Sequence, residues 1–265
     1  MPSPSLPQEI LDHIIDTLHD DTETLRNCCL VAKSWIPRTR KYLFSYIRFS
    51  SKHLESWKKT FPDPSNSPAC YARSMVVACP EAVRVEDAAE GGWITSFSGV
   101  SCLELKASED SLYEPETFLI PFHKFSPTLN SLHVDFMTLP CSQFFKLVYS
   151  FPLLKNLTVI CQFLGNYDDF HAPEAIFHPT PPPLSGSLGL SLPRGSDTVV
   201  RRLLDSPGGL RFQGLDVLLY REDTKWIKEL MSACCNTLEF LVLTRLPPRT
   251  FVSFYIRPRL SCVCR

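Results

Sequence analysis

The sequence predicts an α/β protein in which an N-terminal module of three short helices precedes a solenoid with parallel strands and convex helices. The first fifty residues carry apolar side chains at helical spacing. From about residue 100 onward, a pattern of apolar-x-x-Leu-x-apolar returns every 25 to 31 residues, as stacked repeats do. With 265 residues and 44% hydrophobic side chains, the chain is long and apolar enough to bury a conventional core.

The first predicted helix begins near Pro7, because a proline at this position costs no hydrogen bond. Ser5 and Gln8 have the spacing of a capping box. Five apolar residues then share one helical face: Ile10, Leu11, Ile14, Ile15 and Leu18. This stripe predicts an amphipathic helix.

Two further short helices are predicted before residue 50. The second begins near Thr22, where Asp20 and Glu23 again have capping-box spacing. The apolar positions of these two helices are Leu25, Cys28, Cys29, Val31, Ala32, Trp35, Leu43 and Phe44. A core this small gives only a few kcal/mol of stability, so we expect the module to pack against another surface.

Charge is divided sharply within the module. Residues 1–24 hold six carboxylates and no Lys or Arg, whereas residues 26–48 hold six basic side chains and no acid. Solvated helix faces with favourable charge at the helix ends are one interpretation. Electrostatic steering of a binding partner is the other.

Three segments of the module resemble the F-box, a helical motif of about fifty residues that docks onto a Skp family adaptor. They are Leu6-Pro7-x-Glu9-Ile10-Leu11-x-x-Ile14, Leu30-Val31-x-Lys33-x-Trp35 and Arg40-x-x-Leu43-Phe44. The resemblance implies these adaptor-binding candidates: Leu6, Pro7, Ile10, Leu11, Ile14, Leu30, Val31 and Trp35. Trp35 is the leading candidate for a binding hot spot, because tryptophan is enriched there; a purely internal role is the alternative.

The remaining chain divides into a connection and a repeat region. Residues 50–69 contain a helical stretch with Leu54, Trp57 and Phe61, followed by a proline-rich turn. The six central leucines of the repeats are Leu103, Leu132, Leu157, Leu188, Leu215 and Leu241, of which the Leu188 copy is degenerate. Amphipathic helices are predicted around Val199 and Trp226. An ordinary α/β domain with similar buried strands is the alternative to a solenoid.

The repeat period is similar to that of leucine-rich repeats, which place a parallel sheet on the concave side and helices on the convex side. The usual Asn or Cys three residues past the last strand position is replaced by Ser108, Met137, Gln162, Tyr220 and Leu246. Since that side-chain ladder is missing, regular curvature is not predicted. The whole chain resembles a fungal-type F-box protein with divergent leucine-rich repeats: an F-box over 1–49, and repeats over 70–265 without a proper C-terminal cap.

Composition argues against several classes of function. The net charge is −1, and no basic stripe with stacking aromatics is present, so we expect no nucleic-acid partner. Apolar runs are far shorter than the roughly 20 residues of a membrane span, and the first residues lack signal-peptide character. We therefore expect an intracellular protein, in the cytoplasm, the nucleus or both, with no membrane partner.

Catalytic and metal-binding patterns are missing from the sequence. The 11 cysteines contain no Cys-x-x-Cys pair, and the histidine pairs His123/His133 and His171/His178 lack metal-ligand spacing. No Gly-x-Ser-x-Gly, His-Glu-x-x-His or glycine-rich phosphate loop is present. We therefore expect no metal, no cofactor and no catalytic residue.

The resemblance implies a non-enzymatic substrate receptor of a ubiquitin ligase. The F-box would dock onto a Skp family adaptor and, through it, a cullin, while the repeats would hold an unknown target protein. An interaction scaffold that delivers no ubiquitination substrate is the first alternative. An enzyme whose site is assembled from loops is the second.

Overall fold

The computed structural model describes residues 7–78, 83, 87, 92–106, 120–125, 127–164, 183–191, 196–206, 208–219 and 225–245. Within them the chain is a mixed α/β structure built around a parallel sheet of eight strands. The helices of these residues are too short and too polar to cross a membrane.

Helices α1 to α3 come first in the chain, and a 3₁₀ turn at Lys33–Trp35 precedes α3. Their bounds are α1 Gln8–Thr17, α2 Thr22–Val31 and α3 Ile36–Leu43. Helix α1 follows Pro7 without a side-chain cap. Asp21 caps α2, since its carboxylate accepts a 3.0 Å hydrogen bond from the Thr24 amide. The cap of α2 therefore lies one residue later than the predicted Asp20.

All eight strands are parallel, and their order in the sheet is their order in the chain. The strands are β1 Tyr46–Phe49, β2 Ser74–Val77, β3 Cys102–Lys106, β4 Ser131–Pro140, β5 Asn156–Leu164, β6 Leu184–Ser191, β7 Leu210–Leu219 and β8 Phe240–Arg245. The α-helices between them are α4 Ser51–Thr60, α5 Cys141–Tyr149, α6 Ser196–Leu204 and α7 Lys225–Ala233. This order is compatible with a solenoid, in which each unit lies beside its neighbours in sequence.

The predicted repeat register is confirmed by the strand pairing. The central leucines lie directly opposite one another from β3 to β8. The row also extends upstream, where Ile47 of β1 pairs with Met75 of β2 and Met75 pairs with Leu103. The sheet therefore begins within residues 1–49, and α4 lies between its first two strands.

A single hydrophobic core joins the sheet to the helices that follow its strands. The central leucines of β3 to β7 are at most 2% exposed. The buried apolar residues of α4 to α7, such as Leu54 and Leu230, belong to the same cluster. The predicted helices around Val199 and Trp226 are confirmed as α6 and α7. Because these helices contact the side of the sheet that carries the leucines, the opposite side forms a separate surface.

Main-chain hydrogen bonds link successive repeats at the corner before each early strand. In each case, the carbonyl oxygen of the residue two positions before a strand's central apolar residue accepts hydrogen bonds from two main-chain amides of the next repeat. The Ser45 carbonyl oxygen accepts from Arg73 at 2.8 Å and Ser74 at 2.9 Å. The carbonyls of Arg73, Ser101 and Asn130 repeat the arrangement. These bonds satisfy main-chain polar groups of the corners without a side-chain ladder. Of the positions predicted to lack that ladder, Met137 and Gln162 lie inside β4 and β5, and Ser108, Tyr220 and Leu246 lie outside the described residues.

The degenerate Leu188 copy reflects an irregularity between β6 and β7. Their register shifts after Gly186, which pairs with Phe212, whereas Ser187 pairs with Gly214. The buried apolar residue before Leu188 is consequently Leu184, four positions earlier instead of three, and it is 6% exposed. Gly186 has a φ of +84°, and a Cβ there would lie 1.9 Å from the Lys155 carbonyl oxygen. Only glycine fits at this point.

Threonine side chains reinforce two of the corners. The Thr128 hydroxyl donates a 2.6 Å hydrogen bond to the Val100 carbonyl, and the Thr237 hydroxyl donates a 3.0 Å bond to the Phe212 carbonyl. Both threonines stand four residues before a central leucine. The same position before Leu157 holds Leu153, which is 52% exposed. This repeat therefore lacks the hydroxyl group that donates to a carbonyl oxygen of the preceding repeat at the other two corners.

We expect Leu153→Thr to stabilise the protein by about 1 kcal/mol, because its hydroxyl would donate to the carbonyl of the preceding repeat. Leu153→Val is the matched control, since valine has the shape of threonine without the hydroxyl. Urea unfolding of both variants measures the difference. Equal stabilities for the two variants would contradict the role assigned to the threonines.

Candidate functional site

Helices α1 to α3 surround a small core of their own. Its buried members are Ile15 on α1, Leu25 and Cys28 on α2, and the Thr39 side chain on α3. The three apolar members do not belong to the large cluster that joins the sheet and its helices. We call residues 7–45 the helical module. Its few buried side chains leave much of its apolar surface for other contacts.

Thr39 holds the turn that carries Trp35. It is fully buried, and its hydroxyl donates to the Trp35 carbonyl oxygen at 2.9 Å. The Thr39 hydroxyl oxygen also lies 2.9 Å from the Cys29 sulfur on α2. The turn is thereby fixed between α2 and α3, and the half-buried Trp35 side chain is held at the module surface.

A carboxylate on α1 anchors α3. The Nε of Arg38 donates to Asp16 Oδ1 at 2.6 Å, and a second guanidinium nitrogen donates to the other carboxylate oxygen. The Tyr42 hydroxyl donates to Asp16 Oδ1 at 2.7 Å. These hydrogen bonds, chiefly that from Arg38, hold the pKa of Asp16 well below its usual range. Arg38 and Tyr42 are four residues apart, so they reach the carboxylate from one face of α3.

The structure leaves half of the predicted adaptor-binding residues as exposed large apolar side chains. On α1, Ile10 is 48% and Ile14 is 41% exposed; at the end of α2, Leu30 is 85% and Val31 is 65% exposed. We call these four residues the exposed apolar set. Of the other candidates, Pro7 is exposed, Leu11 and Trp35 are half-buried, and Leu6 lies outside the described residues.

The residues of the exposed apolar set belong to α1 and α2, and both helices contact the turn at Lys33–Trp35. Helix α1 contacts the turn at Lys33–Trp35, and α2 leads into it through Ala32. Ile10 and Ile14 share a face of α1 because they are four residues apart. Completely burying an aliphatic side chain of this size gives about 1.5–3 kcal/mol. A partner that covered the set would therefore gain several kcal/mol.

The charges of the module have structural roles in part. Asp16 pairs with Arg38, and Asp21 caps α2, where the Thr24 hydrogen bonds lower the pKa of the Asp21 carboxyl. These two carboxylates fit the structural interpretation of the charge division. Lys33, Arg40 and Lys41 of the module are exposed. Exposed positive charge in the same module as the exposed apolar set suits a partner with acidic residues around an apolar surface.

The sheet surface opposite the helices is a second candidate for binding. We call it the open face; its members alternate with the core residues and include Arg48, Glu104, Lys106, His133, Asp135, Thr158, Gly189, Asp216 and Val242. Lys106 Nζ lies 2.8 Å and His133 Nε2 lies 3.9 Å from Glu104 Oε1. The Glu104 hydrogen bond raises the pKa of Lys106, while burial lowers the pKa of His133. Charge of both signs is thus concentrated on the first half of this face.

Two buried thiols and the partly buried His123 have shifted pKa values. Burial raises the pKa of the Cys141 thiol to about 12, raises the pKa of Cys234 and lowers the pKa of His123. Neither thiol is therefore an activated nucleophile at neutral pH. Within the described ranges, no three His, Cys, Asp or Glu side chains come together as a metal site. His171 and His178 lie outside these ranges.

Comparison with known proteins gives no relative: no family model, no curated protein and no solved structure matches this chain. Sequence reasoning selected the exposed apolar set but missed the Asp16–Arg38–Tyr42 network. The spacing of Arg38 and Tyr42 was the available signal, because it places a donor pair on one helical face.

We expect Asp16→Asn to lower the free energy of unfolding at neutral pH, because Arg38 and Tyr42 lose a charged acceptor. The folded-state pKa of Asp16 is depressed, so its contribution is fully present above the unfolded pKa of about 3.9. The contribution is lost as pH falls through the folded pKa. Urea unfolding from pH 7 to pH 2 should therefore show the gap between wild type and variant narrowing below about pH 4.

Glu55→Gln on α4 is the matched control, since Glu55 is an exposed carboxylate outside the module. It should give no comparable gap. A stability difference for Asp16→Asn that stayed constant down to pH 2 would contradict the role given to the Asp16 charge.

Proposed function

We propose that residues 1–49 form an F-box that docks onto a Skp family adaptor and, through it, onto a cullin. Residues 70–265 would form a leucine-rich-repeat-like region that binds a target protein. The protein is then the substrate-recognition subunit of a ubiquitin ligase. Such a complex works in the cytoplasm, the nucleus or both.

One observation carries the docking half of this proposal. Ile10, Ile14, Leu30 and Val31 belong to the residues that match the F-box pattern, and all four present large apolar side chains to solvent. Isolated exposed apolar residues are ordinary on protein surfaces. Four of them on two helices that both contact the turn at Lys33–Trp35 are better explained by a partner.

The repeat half is supported by the order of the strands. Parallel strands in chain order, one central leucine in each of six strands, and main-chain links at the corners are compatible with leucine-rich repeats. The open face offers charged, polar and small side chains on successive strands. A target protein bound there would meet a broad surface rather than a pocket.

Catalysis in this proposal requires no reactive side chain from the chain itself. Holding a target beside a ubiquitin-conjugating enzyme raises the effective concentration of its lysines. The receptor contributes position only. The alternative, a scaffold that binds the adaptor without delivering a substrate, predicts an adaptor complex that contains no cullin.

The double change Leu30→Asp and Val31→Asp should weaken binding to a purified Skp family adaptor at least tenfold, or about 1.4 kcal/mol. Both side chains are largely exposed, so the change should cost the folded chain little. Titration calorimetry measures the affinity. Leu153→Asp, a change at an exposed leucine of the repeat region, is the matched control and should bind as tightly as wild type.

Trp35→Ala should also reduce the adaptor affinity at least tenfold, because the half-buried indole supplies contact area to the partner and to the module. Surface-immobilised adaptor gives the affinity, and circular dichroism reports whether the sheet is retained. An unchanged affinity with a folded sheet would count against the docking role of Trp35.

A purified complex that contains the adaptor but no cullin would favour the scaffold alternative.

A further inference from the structure

The two ends of the sheet differ in how well they are covered. At the first strand, Ile47 is 8% and Phe49 is 2% exposed. Phe49 contacts Trp57, Trp93 and Phe97 at ring distances of 5.3 to 5.9 Å. The core side chains of β1 are therefore covered, and Phe49 is packed among aromatic rings.

The last strand of the sheet lacks such cover among the described residues. Leu243 of β8 is 40% exposed, although its neighbour in the row, Val217 of β7, is fully buried. Leu241 is half-buried, whereas Leu215 beside it is fully buried. The row of core residues thus meets solvent at β8, and the outer edge of a strand also presents unpaired main-chain groups.

The sequence at this edge is complementary to itself. Residues 239–245 read Glu-Phe-Leu-Val-Leu-Thr-Arg, with an acid at one end, a base at the other and five uncharged residues between them. Natural edge strands usually carry charges or proline in their middle, which prevents pairing with another chain. Residues 240–244 carry neither.

We propose that β8 pairs antiparallel with β8 of a second copy of this chain, with Val242 on the two-fold axis. In this register Leu241 lies opposite Leu243 of the other copy, and Phe240 lies opposite Thr244. Glu239 lies opposite residue 245, an arginine. Each of these pairs occurs twice, as a self-complementary two-fold interface requires.

The register satisfies the alternation of side chains along a strand. Residues 239, 241 and 243 share one side, and residues 240, 242 and 244 share the other. On the core side, Leu241 of one copy therefore lies beside Leu243 of the other. Leu243 is partly exposed in the single chain. Glu239 is exposed and accepts a 3.5 Å hydrogen bond from Gln213, a weak contact that an opposite charge can replace.

Residues 246–265 of the same chain are the competing occupant of this edge. If they covered β8, the protein would be a monomer, and charges at residues 239 and 245 would have no effect on its mass. A second copy predicts the opposite. The two occupants are therefore separated by measuring the molecular mass of the full chain.

Sedimentation equilibrium on the full chain tests the proposal. We expect a dimer for wild type. Glu239→Arg places two pairs of arginines opposite each other, and Arg245→Glu places two pairs of glutamates opposite each other. Each variant alone should raise the dimer dissociation constant about tenfold or more, because like charges across a strand pair repel.

The two single variants should associate when mixed. In the mixed dimer both cross-strand pairs again join an acid to a base, and the double variant Glu239→Arg/Arg245→Glu restores them within one chain. Glu55→Arg, a charge reversal far from β8 in the sequence, should remain dimeric. A monomeric wild type, or dimers that are indifferent to both single changes at residues 239 and 245, would overturn the proposal. Recovery on mixing also shows that the single variants are folded.

Discussion

The constraint on which this structure depends is that a single strand and its helix cannot bury their own apolar side chains. Each strand of the sheet places a central apolar residue beside the corresponding residue of the next strand, and the interior leucines are buried as a result. Where a neighbour is missing, apolar surface remains. The exposed apolar set of the helical module and the outer edge of β8 are the two main places where this occurs in the described residues. Both proposals made for this protein concern a second molecule that covers such a surface.

The corners between repeats explain how the units remain aligned without a side-chain ladder. One carbonyl accepts two amides of the following repeat at four successive corners, so the main chain itself sets the register. Main-chain bonds are independent of the side chain present, which allows the sequence of the corners to diverge. Threonine adds a further bond at two corners, and glycine is required at Gly186, where the strand register shifts.

The sequence predicted the later repeats because each contains a leucine at a fixed place in a short pattern. The leucine recurs there because successive strands place that position in one buried row. It did not predict β1 and β2, since their four-residue segments have Ile47 and Met75 in place of the leucine. Helical periodicity could not separate Ile14 from Ile15, because adjacent residues on a wide apolar stripe look alike until the size of the core is known. The structure buries Ile15 and exposes Ile14. Contacts such as Asp16 with Arg38 join residues far apart in sequence; the spacing of Arg38 and Tyr42 indicates a pair of donors on one helical face but does not identify the acceptor.

Hydrogen exchange of the full chain, with and without a purified Skp family adaptor, tests the central claim most directly. If the adaptor covers the exposed apolar set, amides in α1 and at the end of α2 should exchange more slowly in its presence, while amides of β4 to β7 should be unchanged. Identical exchange in α1 and α2 at saturating adaptor would contradict the claim that this surface is a docking site.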